Sequence, residues 1–207
     1  MRRTRLVCAL LALVAATAGT SGAPRAAAAD PSTLFRMLPA GDAVVTVDVP
    51  EMLERTLPAV LASRPESRKK LDDNVARLRT DFGVDLHAVR AAAIVGTSIE
   101  MANAEWVAVL EGPFDAVAEQ GALAASLAAY AQRNPRYSVR EERRGSVTVF
   151  IVPEVTANGA TIDRFAVAVL DRAHVAWGSP SGVRGAADVH DGKAPGLPTT
   201  SPAVEAW

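Results

Sequence analysis

The sequence has a single cysteine, Cys8, which lies in the first 29 residues. The rest of the chain therefore has no disulfide framework, no cysteine nucleophile and no thiolate metal site. A chain without these devices has to be held together by its hydrophobic core.

Long hydrophobic runs are also missing. The apolar stretch at residues 6–18 is too short to span a bilayer comfortably. It follows an arginine-rich start and precedes small residues that end at Ala29. This order is typical of a signal peptide. We predict that residues 1–29 are a signal peptide and that the protein is secreted or periplasmic, with no stable membrane span after cleavage. A retained anchor is the alternative.

The sequence has no excess of positive charge, since it contains 22 Lys and Arg and 23 Asp and Glu. Removal of residues 1–29 takes away four arginines and no acid, which leaves 18 basic and 23 acidic residues and a net charge of −5. Such a chain does not favour DNA, RNA or anionic lipid. We expect no nucleic-acid partner.

Motifs that carry chemistry are absent too. The glycines do not have the spacing of a phosphate-binding or dinucleotide-binding loop. The stretch "GSPSG" at 178–182 has Pro180 where a nucleophile elbow needs serine, although Ser179 or Ser181 remains a conceivable nucleophile. The three histidines, His87, His174 and His190, have no metal-ligand spacing. We assign no catalytic, cofactor-binding or metal-binding residue and expect no cofactor.

Other polar groups are interpreted as surface or as caps. The helix starts in "GPFD" (112–115) and "GSPSG" could bind an anion if they lie at one edge of a sheet, but Asp115 already supplies negative charge at the first of them. The acidic pairs and the arginine cluster look like solvated surface. These are Asp72-Asp73 and Glu141-Glu142, and Arg133, Arg136, Arg140, Arg143 and Arg144.

What the sequence does contain is the same joint three times: an apolar strand, a proline and a helical pattern, at Pro50, Pro113 and Pro180. Proline fits the first turn of a helix because that position makes no intrahelical use of its N–H. A long helical region follows the first joint, broken at Pro58 and restarted by a capping box of Ser63 and Glu66.

Periodicity predicts the remaining elements. The predicted strands are 43–49, 90–97, 104–112, 137–142, 146–152, 164–170 and 173–178. The predicted helices are 51–82, in two pieces, 113–133, and a short and poor one after Pro180 that contains Gly182 and Gly185. Beyond Asp188 the chain reads as a loop.

These elements predict an α+β fold. Residues 43–152 have the β-α-β-β-α-β order of a ferredoxin-like module, which an antiparallel meander and the start of a second module extend. We predict one α+β domain at 30–190 and a loop-like segment at 191–207. Because the second module stops soon after its helix, we hypothesise a truncated chain.

The strands at 146–152 and 164–170 are apolar on both faces. A sheet with one wet face should alternate apolar and polar side chains, so we expect both faces to be covered. The predicted helices suffice for one face. The other face then needs a protein partner, self-association or protein that this sequence lacks.

Three stretches, "LPAGDAVVTVDVPEML", "FGVDLHAVRAAAIVG" and "WVAVLEGPFD", resemble a pattern of secreted bacterial proteins of unknown function, over roughly residues 38–190. The resemblance implies an exported α+β repeat domain and no catalytic residue. The function that we expect is a non-enzymatic exported domain that binds protein or serves as an envelope scaffold. The alternatives are a secreted hydrolase and a carrier of an apolar ligand.

Overall fold

The computed structural model describes residues 31–96, 105–114 and 120–198. Its strands are β1 (Ala43–Asp48), β2 (Ala91–Gly96), β3 (Trp106–Glu111), β4 (Arg140–Arg144), β5 (Val147–Val155), β6 (Thr161–Val169) and β7 (His174–Gly178). Its α-helices are α1 (Pro31–Phe35), α2 (Val49–Glu51), α3 (Leu57–Val60), α4 (Pro65–Phe82), α5 (Gln120–Arg133) and α6 (Pro180–His190). A π-helical turn (Met52–Thr56) joins α2 to α3, and a 3-10 turn (Leu86–Ala88) follows α4.

The seven strands form one sheet in the order β1-β2-β3-β7-β6-β5-β4, and every neighbouring pair is antiparallel. The α+β class is therefore confirmed. The ferredoxin-like detail is not confirmed. A split β-α-β unit joins two parallel strands with another strand between them, whereas β1 and β2 are antiparallel neighbours here.

Helices cover both faces of this sheet. On the first, the α6 face, α1 and α6 pack on the alanine and valine side chains of the strands. On the second, the α5 face, the helical segment 49–60, α4 and α5 pack on the other set. Side chains buried on the α6 face include Leu34, Leu38, Val109, Val149, Ile151, Ala176, Val183 and Ala187. Those on the α5 face include Val47, Leu110, Phe114, Leu123, Leu127, Phe150, Val152 and Val175.

The prediction that both faces are covered is thus confirmed. The prediction that the helices of this chain suffice for only one face is wrong, because its helices pack on both. Leu34 and Leu38 near α1 and Val183 of α6 have 1%, 0% and 0% of their surface exposed. The sequence pattern alone could not show this, because it predicted α6 to be poor and no helix at 31–35.

The three proline joints do not build the same unit. Strand β3 runs in the same direction as β1, and β7 runs in the opposite direction, so the third joint lies at the opposite end of the strands from the first two. Pro50 and Pro180 occupy the first turns of α2 and α6. Pro113 and Phe114 are not helical, and residues 115–119 lie outside the described ranges. The Phe114 N–H donates to the Arg172 carbonyl (2.9 Å), and Phe114 is buried.

The first helical region departs from the prediction in two ways. The helix does not break at Pro58, because the π-helical turn precedes it and the chain continues helically to Val60. The capping box is not formed, because the residue before α4 is Arg64 and it makes no side-chain cap. Gly83 ends α4 as predicted, with a left-handed φ of 70°.

Helix α6 is the largest departure from the sequence prediction. It runs to His190, and four of its eleven residues, Val183, Ala186, Ala187 and Val189, are buried. Its two glycines, Gly182 and Gly185, lie against neighbouring atoms and leave little room for a side chain. A Cβ atom at Gly182 would lie 2.5 Å from the Trp106 carbonyl oxygen, and one at Gly185 would lie 3.1 Å from Pro39.

After α6 the described residues 191–198 form turns that return to α1. The Leu197 N–H lies 3.2 Å from the Phe35 carbonyl oxygen and 3.0 Å from that of Leu38. Within the described ranges no helix is long and apolar enough to cross a membrane. The predicted signal peptide and the last nine residues of the predicted loop-like segment lie outside those ranges.

Candidate functional site

Two histidines and two aspartates meet where α6 ends, and we call them the histidine–aspartate cluster: Asp171, His174, His190 and Asp191. Asp171 lies in the tight turn between β6 and β7, and His174 is the first residue of β7. His190 is the last residue of α6, and Asp191 caps that helix. The cluster joins the β6–β7 turn to the far end of the helix that follows β7.

His174 is the buried member of the cluster, with 8% of its surface exposed. Its Nδ1 atom lies 2.9 Å from both carboxylate oxygens of Asp171. An anionic carboxylate accepts hydrogen bonds, so the proton of the neutral imidazole belongs on Nδ1. The Nε2 atom is then an acceptor, and it is buried without a hydrogen-bond partner among the described residues.

His190 lies between two carboxylates from different parts of the fold. Its Nε2 atom is 3.9 Å from Asp171 Oδ2, and its Nδ1 atom is 3.6 Å from Asp191 Oδ1. Burial of Asp171 favours its neutral acid, but the hydrogen bond from the Ala173 N–H and the two nearby histidines outweigh burial and lower the pKa of that carboxyl. Asp171 is therefore an anion near neutral pH.

Asp191 ties the end of α6 to the turn between β4 and β5. Its carboxylate accepts hydrogen bonds from Lys193 Nζ (2.8 Å), from the Ser146 N–H (3.0 Å) and from Ser146 Oγ. The bonds from Lys193 and Ser146 lower the pKa of Asp191. Gly145 has a φ of 60°, and a Cβ atom there would overlap the Asp191 carboxylate.

The cluster does not have the connectivity of a hydrolase. In a catalytic triad the serine hydroxyl gives its proton to histidine. Here Ser146 donates to Asp191, a carboxylate that is already stabilised as an anion. In the part of the chain that the structure describes, no three His, Cys, Asp or Glu side chains are grouped to hold a metal ion. The cluster links the end of α6 to the β6–β7 turn and the β4–β5 turn.

The serines that the sequence offered as nucleophiles lie at the opposite end of α6. Eleven helical residues span about 15 Å, which separates Ser179 and Ser181 from His190. Ser179 Oγ accepts hydrogen bonds from the Trp106 N–H (3.1 Å) and the Gly182 N–H (3.2 Å) and donates to the Trp106 carbonyl (3.0 Å). Its hydroxyl caps α6 and fastens it to β3.

The remaining candidates from the sequence are dispersed. His87 is exposed in the 3-10 turn, and its backbone N–H donates to Asp85 (3.0 Å). Asp72 and Asp73 are exposed on α4 and lie 4.0 Å and 3.6 Å from Arg68 and Lys69. Asp115 lies outside the described residues. The two loops proposed to bind an anion together, "GPFD" after β3 and "GSPSG" after β7, lie at opposite ends of the strands and do not form one site.

Two arginines of the cluster, Arg140 and Arg144, form ion pairs that join the edge strand β4 to neighbouring elements. Arg140 pairs with Asp163 (2.8 Å), and Arg144 pairs with Asp188 of α6. Arg184 of α6 donates hydrogen bonds from Nη2 (2.8 Å) and Nε (3.0 Å) to Glu142 Oε2. These bonds lower the pKa of Glu142. The Arg144–Asp188 and Arg184–Glu142 ion pairs join α6 to β4.

Five aromatic rings pack together between α4, α5 and the sheet, with neighbouring centroids 5.3–6.2 Å apart. They are Phe82, Tyr130, Tyr137, Phe165 and Trp177. Burial, followed by the neighbouring Tyr137, Asp81 and Glu154, raises the pKa of Tyr130 to about 12. The rings contact each other, as in a core extension.

A shallow depression lies beside the start of α6 and has a volume of about 110 Å³. Trp106, Val107, Ser181 and Gly182 are among its lining residues. Ligand pockets ordinarily measure about 300–1,000 Å³. This depression therefore gives no support to the carrier alternative.

Sequence reasoning missed the histidine–aspartate cluster. The local signals were present: Asp171 and His174 are three residues apart around a predicted turn, and His190 precedes Asp191. Nothing in the sequence indicated that the end of α6 returns to the β6–β7 turn, because the helix was predicted to be short.

A scan against models of protein families gave no match, and comparisons with curated proteins and with solved structures gave none either. The resemblance to secreted bacterial proteins therefore stays a prediction.

Proposed function

We propose that this protein is an exported, non-enzymatic domain that binds another protein or serves as an envelope scaffold. The observation that carries the proposal is the difference between the two edges of the sheet. Edge strand β4 consists of five charged residues, which is a common device against pairing with other strands. Edge strand β1, with the sequence AVVTVD, has no basic residue and no proline.

The polar groups support the same proposal, since they serve the fold. Ser179 caps α6, and Asp171 and Asp191 join α6 to two turns. A hydrolase built on Ser179 or Ser181 needs a histidine beside the serine, and His190, at the far end of α6, lies about one helix length away. No observation favours the hydrolase over the binding domain.

A crosslinking experiment tests the proposal. The full chain is expressed in a bacterial host with a photo-crosslinking amino acid at position 46 in β1 or, as the control, at position 141 in β4. We expect crosslinks to another protein from position 46 and none from position 141. Equal crosslinking from both positions, or none from either, contradicts the proposal.

Export and catalysis are measured on the same protein. The intact mass of the exported chain should correspond to a start at Asp30. A mass that includes residues 1–29 contradicts cleavage. Ester or amide hydrolysis that Ser179→Ala or Ser181→Ala abolishes, while the circular dichroism spectrum is kept, would establish the hydrolase instead.

A further inference from the structure

The hydrogen-bond pattern of the ladder fixes which backbone groups of β1 point outward. The Val49 N–H donates to the Arg90 carbonyl (3.4 Å), in register with the β1–β2 pairing. Antiparallel ladders alternate every second residue, so Val45 and Val47 bond to β2. The N–H and C=O groups of Val44 and Thr46 then point away from the sheet.

Those outward groups have no backbone partner among the described residues. Val44, Val45 and Thr46 are half-buried, so apolar surface flanks the free edge on both faces. A free edge of this kind is a template on which another strand can add.

The charges around β1 indicate which kind of strand can add to this edge. Asp42, Asp48 and Glu54 are exposed, and none of them makes an ion pair with another described residue. An antiparallel second copy of β1 would bring Asp42 close to Asp48 of that copy, either directly opposite or two residues away. Like charges across strands are unfavourable, so the edge disfavours self-pairing and favours a basic segment.

The faces of β1 define the rest of the partner. Side chains opposite Val45 and Val47 would lie on the α5 face, beside the half-buried Met52 and Leu53, and are expected to be apolar. Positions near Asp42 and Asp48, at the two ends of β1, are expected to be basic.

We propose that the β1 edge binds an extended peptide segment, apolar at alternate positions and flanked by lysine or arginine, by strand addition. The inference rests on the proposed function and names the site and the class of partner. Main-chain hydrogen bonds to Val44 and Thr46 would give affinity, and Asp42 and Asp48 would select the charge.

The test is a titration of the full chain with a fluorescent heptapeptide, Lys-Val-Thr-Val-Thr-Val-Lys, followed by anisotropy. Its valines share the face of Val45 and Val47, and its two lysines share the face of Asp42 and Asp48. We expect saturable binding that weakens as salt is added. A peptide with glutamate in place of both lysines should bind about tenfold more weakly or not at all. Equal binding of the two peptides contradicts the charge selection.

The matched variants are Thr46→Pro and Thr46→Val. Proline removes the outward N–H and leaves the bonds to β2 intact, because proline is tolerated on an edge strand where its nitrogen faces solvent. We expect Thr46→Pro to weaken binding about tenfold and Thr46→Val to leave it within about twofold. Asp42→Asn should weaken binding and reduce its salt dependence.

Hydrogen exchange of the unmodified protein gives a readout that does not depend on the folding of any variant. Saturating peptide should slow exchange of the Val44 and Thr46 amides and leave those of β4 unchanged. Unchanged exchange at Val44 and Thr46, or concentration-dependent dimers that Thr46→Pro abolishes, would overturn the inference. If crosslinks still form from position 46, the proposed function survives and the partner is not an extended basic peptide.

Discussion

Replacing Gly182 by alanine separates helix propensity from packing. Alanine is about 1 kcal/mol better than glycine in a helix interior, so propensity alone predicts stabilisation. The Cβ atom of Ala at 182 would lie 2.5 Å from the Trp106 carbonyl oxygen and 2.9 Å from its carbon. Those are backbone atoms of the neighbouring strand and cannot rotate away.

Overpacking of this kind costs about 1–3 kcal/mol, and backbone contact places Gly182 at the upper end. After the propensity gain we expect Gly182→Ala to lower the free energy of unfolding by about 1–2 kcal/mol. For a chain of this size that lowers Tm by roughly 2–8 °C. The substitution should also weaken the helix cap of α6, because Ser179 Oγ accepts the Gly182 N–H at the same contact.

Gly121→Ala is the matched control. Gly121 is an exposed glycine of α5, and a Cβ atom there would meet nothing within 4 Å. Alanine should therefore raise the free energy of unfolding by about 1 kcal/mol and Tm by roughly 2–4 °C. Urea and thermal unfolding, followed by circular dichroism, measure both variants. If Gly182→Ala raises Tm as Gly121→Ala does, the close contact between α6 and β3 is refuted.

Three further predictions test the packing and the links between elements. Leu34→Ala should lower the free energy of unfolding in urea by about 2–5 kcal/mol, because Leu34 of α1 is only 1% exposed. An unchanged free energy of unfolding would mean that α1 does not cover the sheet. The pKa of Asp171 is lowered from its ordinary 3.8, so its contribution to stability is complete above that value and lost as pH falls through the lower folded value. Asp171→Asn should flatten the fall in stability below about pH 4, and an unchanged curve would contradict this. A double-mutant cycle of Glu142→Gln and Arg184→Ala should give a coupling of about 0.5–1 kcal/mol, because the side chains remain 31% and 30% exposed; additive effects would show that the pair does not hold α6.

Most of the secondary structure was predictable because its signals are local. Short apolar runs predicted β2, β3, β5 and β6 to within three residues at each end, and Gly83 ended α4 where glycine can adopt a positive φ. The errors also have local causes. Helix α1 is too short to show a period, and Gly182 and Gly185 lowered the predicted quality of α6.

The candidate site was less predictable than the fold. Asp171 and His174 are close in sequence, but His190 joins them only because α6 packs along the sheet and ends beside the β6–β7 turn. The burial of His174 Nε2, which has no hydrogen-bond partner in the described part of the chain, also depends on that packing. Sequence spacing carries no information about such contacts.

The sequence by itself determined that neither face of the sheet is left to water, because the mostly apolar side chains of 146–152 and 164–170 point to both faces. Only the tertiary structure decided which elements cover those faces, that β3 pairs with β7 at the centre, and that β1 and β4 become the edges. Strand order depends on contacts between distant residues, whose loop-closure entropy and packing are not written in any local pattern. The contrast between the charged β4 edge and the open β1 edge, on which the proposed binding function rests, is therefore a property of the fold.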